Sequence, residues 1–132
     1  MEGRMRRRAE MPFIEEMVGK TFTSVVCDRT FDTITFIVND HEQYQLNHNQ
    51  DCCESVRIED ICGDLADLEN SPIVQAEESS NSEERQQGNT IATDNSFTWT
   101  FYRIATVKGL VVIRWLGESN GYYGEQVDFC RL

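Results

Sequence analysis

Phe97-Thr98-Trp99-Thr100-Phe101-Tyr102-Arg103-Ile104-Ala105-Thr106-Val107, then Lys108-Gly109, then Leu110-Val111-Val112-Ile113-Arg114-Trp115-Leu116: the reading of this stretch decides the fold. The first run is aromatic and β-branched, and its period of two sets Phe97, Trp99 and Phe101 on one face. The second run is apolar on both faces, which predicts a strand at the centre of a sheet. Trp99, Phe101 and Trp115 are the expected sheet core. A pair of this strength makes the domain a β protein, and the rest of the chain is read outward from it.

Upstream, strands are expected at 21–27, 31–38 and 42–47, in a meander with short turns. Asp28-Arg29-Thr30 and Asn39-Asp40-His41 supply the turn chemistry. A short strand at 55–60 follows, with Val56 and Ile58 against Arg57 and Glu59, until Gly63-Asp64 breaks it. Leu65 and Leu68 behind Asp64 as N-cap predict one helical turn. Residues 73–76 form a brief strand. The segment 79–95 is polar, with little to offset ordering entropy, and is expected to be a mobile acidic and polar loop. Downstream, Asn120-Gly121 marks a turn inside the connection 117–124, and 127–130 closes the sheet.

The fold class is therefore mainly antiparallel β, α+β at most, as a single compact domain of about seven short strands with one short helix. The expected organisation is a flexible basic arm over 1–12 and a β-rich domain over 13–132. The chain has 132 residues, 39% hydrophobic and 10% aromatic, enough to bury roughly two thirds of its unfolded surface without a staple. No stretch approaches the ~20 apolar residues of a membrane span, and the N-terminus shows bases without an apolar h-region after them. The five cysteines are Cys27, Cys52, Cys53, Cys62 and Cys130. Their odd number predicts reduced thiols in a cytoplasm, with adjacent Cys52 and Cys53 not paired to each other.

The net charge is −11, and residues 51–94 hold 12 acids against 2 bases, a net of −10. That excess argues against direct contact with a nucleic-acid backbone. It suits a basic protein surface, a bound cation, or solubility alone.

One stretch gathers chemistry: His48-Asn49-Gln50-Asp51-Cys52-Cys53-Glu54. His48, Asp51, Cys52 and Glu54 are the candidate ligands for a divalent metal, although the paired spacing of a zinc site is absent. No other cofactor is expected. A Cys-His nucleophile pair is disfavoured, because residues this near in sequence seldom form one and no oxyanion motif accompanies them. No glycine-rich loop joins a strand to a helix to cradle phosphate. Tyr122 and Tyr123 sit beside Asn120-Gly121 in a loop, where large aromatics are enriched at binding surfaces.

Gln50-Asp51-Cys52-Cys53-Glu54, Asp60-Ile61, Gly63-Asp64, Ala76-Glu77-Glu78, Thr98-Trp99-Thr100-Phe101-Tyr102, Ile113-Arg114-Trp115 and Gly117-Glu118-Ser119-Asn120-Gly121-Tyr122-Tyr123 occur in that order. This set resembles a family of small uncharacterised proteins found in bacteriophages and in bacterial genomes carrying phage material, over about residues 17–129. The chain departs from the pattern at Leu116, where an aromatic is expected, and at Gly124, where Ser is expected; the loop at 79–95 looks expanded. The family is a domain of unknown function, so the resemblance implies a source and not an activity.

The leading expectation is a non-enzymatic, phage-derived binding protein in the host cytoplasm. It would inhibit a host or anti-phage defence nucleoprotein that has a basic surface, through an acidic, nucleic-acid-like face. Asp64, Asp67, Glu69, Glu77, Glu78, Tyr122 and Tyr123 are the expected binding residues. The alternatives are a metal-binding protein or metal-dependent enzyme centred on 48–54, and a protein that sequesters a nucleotide signal. The last needs Arg57, Arg103 and Arg114 to converge.

Overall fold

The computed structural model describes residues 12–84, 96–121 and 123–132. Residues 1–11, which hold nearly all of the expected arm, the stretch 85–95 and Tyr122 lie outside the described residues, and so do the expectations that fall on them. Among the described residues there are eight strands: β1 (Ser24–Asp28), β2 (Thr33–Asn39), β3 (Glu42–Asn47), β4 (Ser55–Cys62), β5 (Gln75–Glu84), β6 (Ser96–Thr106), β7 (Gly109–Ser119) and β8 (Asp128–Arg131). They form two antiparallel sheets of four, ordered β1-β2-β3-β8 and β4-β7-β6-β5. Two single 3-10 turns, Ile14–Met17 and Leu65–Leu68, are the helical elements among the described residues. The domain is mainly antiparallel β, as the strand patterns require.

The hairpin β6–β7 holds the centre of the second sheet in an unbroken register from Ser96↔Ser119 to Thr106↔Gly109. One face of each sheet supplies the core. Ile34, Phe36, Tyr44, Leu46 and Phe129 come from the first sheet, and Val56, Ile58, Tyr102, Ile104, Val111, Ile113 and Trp115 from the second. Tyr44 stacks on Phe129 with centroids 5.5 Å apart, and Phe22 leans on Phe36 at 5.3 Å. Asp64 caps the second 3-10 turn, its side chain accepting from the Ala66 N–H at 3.0 Å. Asn39 closes the β2–β3 turn by accepting from the His41 N–H at 2.7 Å.

Two local expectations need correction. Trp115 is core, but Trp99 and Phe101 are not: Thr100, Tyr102 and Ile104 take the inner face of β6. The outward rings are covered instead by guanidinium groups, Arg114 lying 5.2 Å from the Trp99 centroid and Arg103 6.0 Å from that of Phe101. Parity alone cannot say which of two mixed faces turns inward; in the structure Tyr102 and Ile104 are fully buried on the face that also carries Trp115 and Ile113. The second correction concerns 79–95. Residues 79–84 continue β5, paired to β6 through Glu84↔Ser96. Their weak strand propensity is overridden by the ladder that β6 offers.

Candidate functional site

The stretch 48–54 follows β3, and the connection 117–126 follows β7. Strand β3 pairs with β8, which starts just after that connection, so sheet pairing brings both segments to one end of the molecule. They meet at His48. Its Nδ1 lies 2.8 Å from the Gln126 carbonyl oxygen and its Nε2 lies 2.8 Å from Glu54 Oε2. Both partners are acceptors, so both contacts are hydrogen bonds only when each ring nitrogen carries a hydrogen. The imidazole and carboxylate side chains are 5% and 1% exposed. That burial makes the pair an internal clasp.

Glu54 closes its own turn. It accepts from the Asp51 N–H at 2.7 Å and from the Cys52 N–H at 3.0 Å, while the Gln50 side-chain amide donates to the Glu54 carbonyl. The Cys52 N–H, and next the His48 ring, pull the Glu54 carboxyl down to about 2, because they stabilise its charged form. Asp128, at the start of β8, is pushed up by burial, with His48 opposing.

A second anchor holds the 117–126 connection. Glu125 accepts from the hydroxyls of Ser96, Thr98 (2.7 Å) and Ser119, and the Gly121 N–H donates to Ser119 Oγ at 3.0 Å. Gly117 permits the approach: a Cβ there would stand 2.6 Å from the Glu125 carbonyl oxygen. Two open clefts flank the turn. One, of about 380 Å³, lies between 48–51 with Glu54 and Gly124 with Gln126. The other, of about 360 Å³, lies between Cys53 with Ser55 and Phe97, Glu118, Ser119 and Asn120.

The expected metal ligands are placed as follows. His48 and Glu54 bind each other, Asp51 is exposed and contributes its N–H to Glu54, and Cys52 is joined to Cys53 by a disulfide. Among the described residues no three His, Cys, Asp or Glu side chains converge as a metal-holding group. The disulfide corrects the expectation of two unpaired thiols. Adjacent residues point apart in a strand, but Cys52 and Cys53 occupy a bend outside any strand, where both sulfurs reach one side. Cys27, Cys62 and Cys130 remain thiols, so the odd count is one pair and three thiols and no longer argues for a compartment.

The expected binding residues fall into separate groups. Asp64 and Asp67 lie at the opposite end of the second sheet from Tyr123. The Asp67 carboxylate sits over Gly109, the first residue of β7, where a Cβ would meet Oδ2 at 2.8 Å. The 11 residues of β7 put roughly 34 Å between the two ends, at about 3.4 Å per residue. Glu69 is structural: it accepts from the Val25 N–H on edge strand β1 at 2.9 Å, and its carbonyl accepts from Lys108 Nζ at 2.7 Å. Glu77 and Glu78 are exposed on β5 and alternate between its faces. Burial against the sheet pushes the Glu78 carboxyl up. Sequence reasoning missed Glu125 and Gln126. Glu125 acts through three hydroxyls, two of them on distant β6, and Gln126 acts through its backbone carbonyl, which no side-chain pattern signals.

The fold and this end of the molecule define a two-sheet antiparallel β domain with a clasped loop cleft. The chain belongs to the family described as Domain of unknown function (DUF7448), whose match covers residues 15–129. No curated protein and no solved structure matches it.

Proposed function

We propose that this member of the family is a non-enzymatic, phage-derived binding protein, acting in the host cytoplasm on a host or anti-phage defence nucleoprotein. It presents an acidic surface in place of nucleic acid. The observation that carries this reading is the placement of acids on the second sheet. Glu59 and Asp60 stand on β4 at one edge, Glu118 joins them from β7, and Glu77 stands on β5 at the other edge. Three strand spacings separate the edges, roughly 14 Å, comparable with the ~12 Å across a DNA major groove. On the same face Arg57 holds Glu59 at 3.2 Å and Glu118 at 3.3 Å, Arg114 lies 3.8 Å from Asp60, and Arg103 is paired in register with Glu77, so these four acids exceed the three arginines by one and stand as fixed ion-paired rows. The His48–Glu54 pair supports the absence of catalysis, since both ring nitrogens are committed to the fold. Asp64, Asp67 and Tyr123 extend the contact along the sheet.

Affinity capture from infected host cells, with mass spectrometry, identifies the partner. Association with it should slow steeply as salt rises, because the screening length shrinks from about 10 Å at 0.1 M to about 3 Å at 1 M. Asp67→Asn with Glu77→Gln should slow association several-fold. Tyr123→Ala should instead speed dissociation, because it removes packed area and not steering charge. Binding that ignores both salt and the two amides would defeat the reading.

One observation favours a second reading, a nucleotide-binding face. Arg57, Arg103 and Arg114 share the outer face of the second sheet, and two of them stack on Trp99 and Phe101. Nucleotides quenching the fluorescence of wild type but not of Trp99→Phe would support it; a flat titration would end it.

A further inference from the structure

We propose that the free edge of β5 receives an extended, lysine- or arginine-bearing segment of a partner protein as a fifth strand of the second sheet. The inference rests on the acidic-surface reading and names the mode of contact. Strand β5 is terminal in the order β4-β7-β6-β5. Its ten residues pair with β6 in ten consecutive steps without a register shift. The opposite edge is a row of main-chain donors and acceptors about as long, and residues 77–81 beside it are exposed. Natural edge strands are protected by brevity, bulges, Pro or Lys. The sequence of β5, Gln-Ala-Glu-Glu-Ser-Ser-Asn-Ser-Glu-Glu, has none of these. Its only guard is charge, four Glu and no base.

That guard is selective. A second copy of β5 would bring eight carboxylates together across the new ladder, and like charges facing each other are destabilising. A basic strand meets the opposite condition. Glu77 and Glu78 point to opposite faces, so basic side chains on either face of the incoming strand find a carboxylate. Main-chain hydrogen bonds would supply the affinity and the acids the choice of partner. Neighbouring chemistry suits this: the first 3-10 turn packs against β5 and buries Ile14 and Met17, and among the described residues no strand pairs with the far edge of β5.

The test uses the whole protein and two synthetic peptides that match the ten residues of β5 in length, both of alternating Lys and Thr. One has a normal backbone; the other is N-methylated at every second amide, which blocks one edge and keeps the charge. Amide hydrogen exchange is followed along the chain at low salt. The normal peptide should slow exchange within 75–84 by about tenfold at saturation, and the methylated peptide should not. Glu77→Gln should weaken the normal peptide while the exchange pattern of the free protein stays unchanged. Equal binding by both peptides, or protection confined to another element, overturns strand addition and leaves the acidic-surface reading standing. No binding of the normal peptide overturns strand addition too, and the salt dependence with the captured partner then judges the acidic surface separately.

Discussion

Gly117→Val should lower the melting temperature by on the order of 4–12 °C, from an overpacking cost of about 1–3 kcal/mol. The added Cβ would stand 2.6 Å from the Glu125 carbonyl oxygen, 2.8 Å from its Cβ and 3.3 Å from its carbonyl carbon. None of these atoms is the end of a flexible side chain. Nor can β7 retreat, because Gly117 is paired on both sides, to Val56 of β4 and Thr98 of β6. The 124–126 segment must move instead. Its displacement costs Glu125 its three hydroxyl donors and His48 its contact with the Gln126 carbonyl. Loss of stability should therefore come with faster amide exchange across both 49–53 and 119–126. Gly124→Ala is the control. Its Cβ would meet only the side-chain amide of Gln126, which can swing away, so the change should stay within about 0.5 kcal/mol. Differential scanning calorimetry on the two variants decides the matter; a Gly117→Val protein that melts like wild type would remove the clasp from the account of this site.

The second large effect is on pH. Glu54 has a folded-state value near 2 against an ordinary 4.5. Its contribution is fully present above the unfolded value and is lost as pH falls from about 4.5 toward 2. Protonation removes the acceptor that holds the Asp51 and Cys52 N–H groups and the His48 ring, so the turn at 49–53 should open first. Glu78 and Asp128 act with the opposite sign. Burial raises both, so each is a cost when ionised, and the cost is relieved as pH falls through its raised value. The two effects predict stability that rises from neutral into mildly acidic solution and then drops once Glu54 begins to protonate. The net charge of −11 adds to the rise, because self-repulsion weakens as carboxylates are neutralised. Chemical denaturation along a pH series should show the maximum. In Glu78→Gln with Asp128→Asn the neutral side should flatten upward, and in Glu54→Gln the acid-side drop should shrink to the part left by Glu42, whose carboxyl Lys20 and Tyr44 hold below its ordinary value. A wild-type profile that falls monotonically from neutral pH would contradict the assignment.

Much of the fold was legible before any tertiary contact was known. The β6–β7 hairpin announces itself through two long runs of strand-forming residues around Lys108-Gly109, and the central place of β7 follows from its apolar side chains on both faces. Asp64 before Leu65 and Leu68, and Asn39 before Asp40-His41, specify a capped turn and a hairpin because their side chains bond backbone groups two residues away. Local hydrogen bonding is readable in local sequence.

Local order in the chain thus specifies the fold class, the main hairpin, the local caps and the seat of the negative charge. Only the tertiary structure decided which face of β6 turns inward, because Trp99 with Phe101 and Tyr102 with Ile104 are both hydrophobic sets, and burial against Trp115 and Ile113 chooses between them. It alone extended β5 through a polar segment, since the ladder of β6 supplies hydrogen bonds that no side-chain preference encodes. It alone joined 48–54 to 117–126, through β3 pairing with β8, and so made His48, Glu54, Glu125 and Gln126 neighbours. It separated Asp64 and Asp67 from Tyr123 by the length of a strand. The physical reason is common to all four: strand pairing is a contact between backbones distant in the chain. The side chains it brings together carry no mark of one another in the linear order.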